Sequence, residues 1–231
     1  VGSEMCIRDS MISVSEAVDK RKSIRSFMDK PISNELLRLL LEKASRAPSG
    51  GNLQPWKIFV INGETMTSFL NFQKKWKEDE APEYPIYPSK LKDPYRSSRF
   101  EVGEQLYSSV NISRDDKIGR MSQMMKNFEF FNAPAAIFCF VDRQMNLPQW
   151  SDLGMYLQTF MLLAQEEGID TCGQESWSLR NKMVSSFCEA DDDLMLFTGV
   201  AIEYRDYNAP INQYKTSRRP FEDWAKFVDR K

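Results

Sequence analysis

Four short apolar segments, separated by helical patterns, constrain the fold more than any other feature of this sequence. They are residues 58–61, 135–141, 169–172 and 194–204. The first is an unbroken apolar run, as expected for a strand covered on both faces. A long helix over 152–167, capped by Ser151 and ended by Gly168, is apolar nearly all round and should be largely buried. This alternation predicts an α/β sandwich.

Further helices are expected where apolar residues recur at helical spacing between start and stop signals. Capping signals at Ser13 and Ser33 open the first two. The predicted spans are 13–21, 33–47, 64–76, 100–110, 117–131 and 179–187. Residues 1–10 fit no periodicity and resemble a translated sequencing-adapter leader, so a single domain is predicted over 11–231.

Composition excludes several function classes. There are no histidines, which rules out Ser-His-Asp and Cys-His catalysis and most catalytic zinc sites. An enzyme without histidine usually borrows its chemistry from a cofactor or uses carboxylates. The net charge of −2 gives no basic field for nucleic acid, and no apolar run could span a bilayer. The four cysteines show no metal spacing. A cytoplasmic, reduced protein without metal or membrane partners is predicted.

The loop after the second helix, Pro48-Ser49-Gly50-Gly51-Asn52, is rich in recognition chemistry. Its paired glycines permit positive φ and close approach of a ligand to bare amides. Asn52 and Gln54 each carry a donor and an acceptor able to read a polar heterocycle. The alternative is a plain helix-to-strand loop whose amides face water.

Two basic clusters lie near opposite ends of the chain. Arg21, Lys22 and Arg25 flank Ser23, and Lys215, Arg218 and Arg219 form the second cluster. The first could complement a helix dipole or bind an anion. The two clusters are either separate surface patches or the halves of one phosphate pocket.

Two further segments leave structural and functional interpretations open. The Pro/Tyr excursion, residues 77–98, holds four prolines and three tyrosines. It is either a surface excursion packed on its own rings or a lid over an aromatic substrate. Met121, Met124, Met125, Phe128 and Phe131 form an apolar face typical of core or dimer interface rather than a substrate site.

Several motifs in order carry a resemblance to a known family. They are residues 21–27, RKSIRSF, residues 48–56, PSGGNLQPW, residues 170–177, DTCGQESW, and residues 215–221, KTSRRPF. Together they resemble the FMN-dependent nitroreductase family, and in particular its nitrobenzoate-reductase-like members. The resemblance spans nearly everything from Ile12 onward. Glu203 departs from it, because relatives often have glycine near the end of that strand.

The resemblance implies an α+β fold: a mostly antiparallel central sheet flanked by helices, with a C-terminal tail extending onto a partner subunit. It implies a homodimer with FMN at the interface, which the surplus of apolar helices also favours. The implied phosphate contacts are Arg21, Ser23, Arg25, Lys215 and Arg218, with Lys22 in the same cluster. Gln174 and Glu175 would pass their backbone beside the flavin ring. The partner's loop would supply Pro48, Ser49, Gly50 and Asn52, with Gln54 in the same shell.

The activity implied by the resemblance is ping-pong transfer of two electrons from NAD(P)H to a small nitroaromatic or other electron-poor acceptor. No catalytic acid is named, since water can supply the protons. Relatives acting as dehalogenases or as enone or quinone reductases keep the substrate open. A non-catalytic flavin-binding protein is the alternative from another class.

Overall fold

The computed structural model describes residues 12–229, and the predicted leader at 1–10 lies outside the described residues. The helices are α1 Val14–Lys20, α2 Asn34–Ala44, α3 Glu64–Lys75, α4 Tyr95–Ser109, α5 Lys117–Met125, α6 Leu147–Glu166 and α7 Asn181–Cys188. The strands are β1 Trp56–Asn62, β2 Ala135–Asp142, β3 Asp170–Gln174 and β4 Leu194–Glu203. Short 3-10 helices follow α5, over Lys126–Asn132, and β3, over Glu175–Arg180.

The four strands form one antiparallel sheet in the order β1-β2-β4-β3. The central strand β2 is buried along nearly its whole length, as its apolar sequence predicts. On one face α2 and α6 pack over the sheet, and on the other α3, α7 and the two 3-10 helices do. The predicted four strands and flanking helices are therefore confirmed.

The prediction that β1 is covered on both faces is wrong. β1 lies at the edge of the sheet, Lys57 is exposed, and Val60 keeps 41% of its surface accessible. An apolar run of this length cannot by itself distinguish an edge strand from a central one, because both need apolar residues on the core side.

Several predicted helix boundaries are also corrected. α6 begins at Leu147 rather than Asp152, because Asn146 and Gln149 form a capping box and Pro148 occupies the first turn. Ser151 does not cap it, since its hydroxyl donates to the Pro148 carbonyl at 2.6 Å. α4 begins at Tyr95 rather than at residue 100, so it includes the last residues of the Pro/Tyr excursion.

Two further helices differ from their predicted spans. The helix predicted over 117–131 ends at Met125, beyond which Phe130 and Phe131 adopt positive φ and bury their rings. The helix predicted to begin at Leu179 begins at Asn181, after the 3-10 turn. Tertiary burial of aromatic rings overrides helical periodicity in both places.

Candidate functional site

The two basic clusters converge on one cavity, which we call the anion pocket. It measures about 450 Å³. Its lining includes Arg21, Lys22, Ser23 and Arg25 from the segment after α1, and Tyr214, Lys215, Thr216 and Arg218 from the C-terminal segment. Of the two sequence interpretations, separate patches and one pocket, the geometry agrees with the second. Arg219 lies outside this lining.

Backbone pairing brings the N-terminal segment to the end of the sheet. Ser23 forms a parallel bridge with Thr171 of β3, and the Ile24 amide donates to the Thr171 carbonyl at 3.1 Å. Phe27 then bridges to Arg205, just beyond β4. Residues 23–28 therefore run beside the strand ends and carry the first basic cluster with them.

Asn212 ties the C-terminal segment to this frame. Its side chain is buried, accepts from the Arg25 amide at 2.9 Å and donates to the carbonyls of Ser26 and Asp206 at 2.7 and 2.9 Å. Its own carbonyl accepts from Lys22 Nζ at 2.6 Å. The side chain of Arg25 reaches the Tyr214 hydroxyl at 3.1 Å. Sequence reasoning missed Asn212 and Tyr214, although Tyr214 directly precedes the basic motif at 215.

The pocket crowds positive charge. Burial lowers the pKa of Arg21, and the nearby Arg218 guanidinium lowers it further. Burial also lowers the pKa of Lys22, with Arg205 and Lys215 acting in the same direction and Asp170 opposing them. Within residues 12–229, no carboxylate forms an ion pair with Arg21, Arg25 or Arg218. A bound anion would offset this mutual repulsion.

A second cavity, the sheet cleft, lies beside the anion pocket and shares Arg25 with it. It measures about 520 Å³ and runs along residues 173–176, the turn that leaves β3. Its other walls come from α5, the 3-10 helix after it, α6, β4 and the Pro/Tyr excursion: Met124, Asn127, Gly154, Leu157, Gln158, Met161, Phe197, Thr198, Val200, Ile86 and Tyr87. It combines apolar walls with a polar floor, as expected of a cofactor or substrate site.

The floor of the sheet cleft holds buried polar atoms without partners. Gln174 donates its side-chain amide to the Asn127 carbonyl at 2.7 Å, but its Oε1 has no hydrogen bond among the described residues. The Ser176 hydroxyl is likewise buried and unpaired within that part of the chain. Such groups are costly unless a ligand or water satisfies them. A polar heterocycle in the cleft would supply the missing partners if these side chains turn toward it.

The Pro/Tyr excursion is anchored rather than free. The Tyr84 hydroxyl donates to the Phe197 carbonyl, and its ring packs edge-on against Trp150 at 5.0 Å. Burial raises the pKa of Tyr84 to about 12, so this donor stays protonated. Ile86 and Tyr87, two and three residues further along, line the sheet cleft. The excursion therefore packs on the body of the protein rather than on its own rings and lines one side of the cleft, while its role as a lid stays a prediction.

The glycine loop lies apart from these cavities. Among the described residues, none of 48–54 lines the anion pocket or the sheet cleft. The Gly50 amide donates to Asp152 of α6 at 3.2 Å, and the Gln54 amide donates to the Ser49 hydroxyl at 3.0 Å. Asn52 and Gln54 are exposed with positive φ, and the Gln54 side chain donates to the Asn52 carbonyl at 3.2 Å. The loop is preorganised and faces outward.

The predicted Met/Phe face is partly buried and partly exposed, and the aromatic residues of the C-terminal tail are exposed. Phe128 and Phe131 are buried, Met124 lines the sheet cleft, and Met121 and Met125 are exposed. In the C-terminal tail, Phe221, Trp224 and Phe227 pack on one another but stay exposed. Across residues 12–229, no helix combines the length and apolar character needed to cross a membrane.

Comparison with known proteins identifies the family. The model of the nitroreductase family matches residues 18–202. Nitrobenzene nitroreductase of Ectopseudomonas oleovorans is 31% identical and covers 93% of this chain and 96% of its own length. The 4-nitrobenzoate reductase of Pseudomonas putida is 30% identical, covering 91% and 93%.

Solved structures agree. The FMN- and NADPH-dependent nitroreductase NfnB of sphigopyxis sp. strain HMH is 41% identical, with a TM-score of 0.90, covering 94% of this chain and all of that one. NfnB of Mycobacterium smegmatis, at 22% identity and a TM-score of 0.85, shares the fold. The predictions of family, fold and an oxidoreductase enzyme are confirmed, and the chain belongs to the nitroreductase family.

Proposed function

We propose that the protein is an FMN-dependent oxidoreductase that uses NAD(P)H to reduce nitroaromatic or related electron-poor acceptors. The observation that carries the proposal is the anion pocket opening beside a cleft whose floor holds unpaired polar atoms. The cofactor dependence of the 41%-identical NfnB and the substrates named for the nitrobenzene and nitrobenzoate reductases support it.

The chain's own groups fit this cofactor. Arg21, Ser23, Arg25, Lys215 and Arg218, with Lys22 beside them, would hold the phosphate through charge-assisted hydrogen bonds. The backbone of 173–176 and the unpaired oxygens of Gln174 and Ser176 would hold polar edges of the ring. When bound, FMN supplies the two-electron hydride chemistry. Cationic and amide groups of the cleft would stabilise negative charge that develops there.

The sheet cleft would serve donor and acceptor in turn, which is the ping-pong order. Its apolar walls, Leu157, Met161 and Phe197, suit a flat aromatic acceptor, and Ile86 and Tyr87 would exclude water above it. The proposal names no catalytic side chain, and protons would come from water. The cytoplasmic location stays a prediction.

We propose in addition that the active unit is a homodimer. The loop residues Pro48, Ser49, Gly50, Asn52 and Gln54 line neither cavity of their own chain among the described residues, so they would complete the cofactor site of a partner. The exposed rings of Phe221, Trp224 and Phe227 support a tail that packs on the partner.

Titration of the purified protein tests the activity. NADPH or NADH, added without oxygen, should bleach the absorbance of bound flavin, and nitrobenzene or 4-nitrobenzoate should restore it. Mass spectrometry of the released flavin should give FMN. A flavin inert to both donors would instead indicate a non-catalytic binding protein. Restoration by quinones or enones, but not by nitroaromatics, would reassign the acceptor.

Arg218→Ala tests the pocket. Losing a charge-assisted phosphate contact should weaken FMN binding by about 1.5–3 kcal/mol without altering thermal unfolding of the apoprotein. The matched control is Arg38→Ala on α2, whose guanidinium is exposed and paired with Glu42. Equal FMN affinity in the two variants would remove Arg218 from the site.

Complementation tests the shared site. One chain would carry Asn52→Ala with Gly50→Trp, and the other Arg21→Ala with Arg218→Ala. A verified heterodimer should regain one intact FMN site, whereas each parent homodimer has none. Lack of recovery in the heterodimer, or an active monomer in light scattering, would contradict the shared site.

A further inference from the structure

A third cavity, the outer cleft, lies between the Pro/Tyr excursion and the C-terminal segment, and the proposed function leaves it unused. It measures about 620 Å³. Its lining brings together two tyrosines, Tyr87 and Tyr95, and three arginines, Arg99, Arg218 and Arg219. Three guanidinium groups beside two aromatic rings are the elements of a site for a phosphorylated aromatic ligand.

Two of the three arginines contact aromatic rings rather than acids. Arg99 Cζ lies 4.1 Å from the centroid of the Tyr87 ring, and Arg219 Cζ lies 5.4 Å from that of Tyr95. Among the described residues neither guanidinium has a carboxylate within ion-pairing distance, whereas Arg96, one turn from Arg99 on α4, is paired with Asp93. Stacking fixes the plane of a guanidinium while its N–H edge stays available to an anion.

The outer cleft adjoins the other two cavities. Tyr87 lines both the sheet cleft and the outer cleft, and Arg218 lines both the anion pocket and the outer cleft. A ligand that places one end in the sheet cleft can therefore pass Tyr87 and reach Arg99 and Arg219 with its other end. An extended dinucleotide has this shape, whereas a small nitroaromatic does not.

We infer that the outer cleft binds the adenosine 2′-phosphate end of NADPH, and that Arg99 and Arg219 select NADPH over NADH. The inference rests on the proposed function, in which the nicotinamide end occupies the sheet cleft. NADPH and NADH differ only in the 2′-phosphate, and arginine is the usual partner of that group. The adenine ring would stack on the planes of tyrosine or arginine.

Steady-state kinetics of the FMN-loaded enzyme tests the selection. Arg99→Gln and Arg219→Gln should each lower kcat/KM for NADPH about 10- to 100-fold, as expected for one lost charge-assisted hydrogen bond. Turnover with NADH should change by less than about twofold. The matched control is Arg96→Gln, which removes an exposed arginine of the same helix that already has an acidic partner. A wild-type preference for NADH, or equal losses with both donors, overturns the inference.

A binding measurement provides a readout independent of turnover. Calorimetry on the FMN-loaded protein should show adenosine 2′,5′-bisphosphate binding at least tenfold more tightly than adenosine 5′-monophosphate, and Arg219→Gln should abolish the difference. Equal affinities in the wild type overturn the inference. So does a loss confined to the KM for 4-nitrobenzoate, which would assign the arginines to an acceptor carboxylate. Bleaching of the flavin by NADH in these variants shows that the proposed function stands whichever result is found.

Discussion

The sheet face under α2 and α6 is packed mainly with aliphatic side chains, whereas the face under α3 and α7 is packed mainly with aromatic rings. Trp177 is the centre of the aromatic face. Its ring stacks on Phe130 at 4.5 Å and meets Phe69, Phe128 and Phe138 at 5.3–5.4 Å. Rings pack in few orientations, so this face tolerates less change than the aliphatic one.

The two faces also differ in how they treat polar groups. Around α6, buried Asp152 accepts a backbone hydrogen bond and buried Gln165 donates to Asp170. On the aromatic side, Trp177 Nε1 and both carboxylate oxygens of Glu203 are buried without a hydrogen bond in the part of the chain that the structure describes. Trp177 directly follows the floor of the sheet cleft at 173–176. The comparison teaches that the two faces serve the site differently: the aliphatic face supplies apolar walls of the sheet cleft, such as Leu157 and Val200, whereas the aromatic face adjoins its polar floor at 173–176.

Leu153→Ala tests whether packing in the core of the aliphatic face affects FMN binding. It should have the largest effect on stability. Leu153 is fully buried on α6, so its truncation should lower the free energy of unfolding by about 2–5 kcal/mol. FMN affinity, measured well below the melting temperature, should not change. Leu147→Ala on the same helix is the control, because that side chain is 83% exposed. A parallel loss of FMN affinity would show that the core beneath α6 holds the cleft walls in place.

Glu203→Gln tests the unsatisfied carboxyl of the aromatic face. Burial raises the pKa of Glu203 to about 7, and the negative charge of Asp29 adds to the rise. The backbone amides of Tyr204 and Lys30 lie nearby and lower the pKa in part, although neither forms a hydrogen bond of good geometry with the carboxylate. Because the carboxyl pKa is higher in the folded state, the carboxyl ionises at a lower pH in the unfolded chain as the pH rises. The free energy of unfolding should therefore fall by about 3 kcal/mol between pH 4.5 and 7 and then level off.

Chemical denaturation at several pH values measures this slope. Glu203→Gln should remove most of it, and stability near pH 8 should rise relative to the wild type. The exposed Glu101→Gln on α4 is the control and should keep the slope. An unchanged slope in Glu203→Gln would mean that the pH dependence arises elsewhere.

Gly199→Ala probes how tightly the aromatic face holds the site. A Cβ at Gly199 would lie 2.3 Å from Trp177 Cδ1, so the indole must shift. Overpacking of this kind costs about 1–3 kcal/mol of stability. Because Trp177 adjoins residues 173–176, FMN affinity should fall as well. Gly103→Ala on α4, where a Cβ meets nothing within 4 Å, should leave FMN binding unchanged. Destabilisation of Gly199→Ala with full FMN affinity would separate the ring packing from the site.

Sequence patterns predicted the strands and most helices because buried apolar residues recur along the chain at the spacing of each element. β2 and β4 are examples, and the cap at Ser33 is another. The predicted start of α6 was wrong because the capping box formed by Asn146 and Gln149 begins the helix before the predicted cap at Ser151. The edge position of β1 depends on which strands pair, which no local pattern encodes.

For the site, the residue types in the two basic clusters predicted an anion-binding site. They did not show whether the two clusters lie in one pocket. About 190 residues separate Arg25 from the Asn212 side chain that accepts from its amide. The family resemblance supplied the expectation that the clusters meet. The outer cleft had no sequence signal, because Arg99 and Arg219 become neighbours of the tyrosines only through the packing of α4 against the C-terminal segment.

The link from Asn212 to residues 22–26 has a consequence for biosynthesis. The anion pocket does not exist until residues 212–218 have emerged from the ribosome and reached the N-terminal segment. The sheet can begin to assemble earlier, because β1 to β4 precede that point in the chain. An anion such as a cofactor phosphate therefore cannot use the complete pocket to template assembly of the sheet. It is captured only once the C-terminal segment has docked, so loading competes with aggregation of an apoprotein whose aromatic tail is exposed.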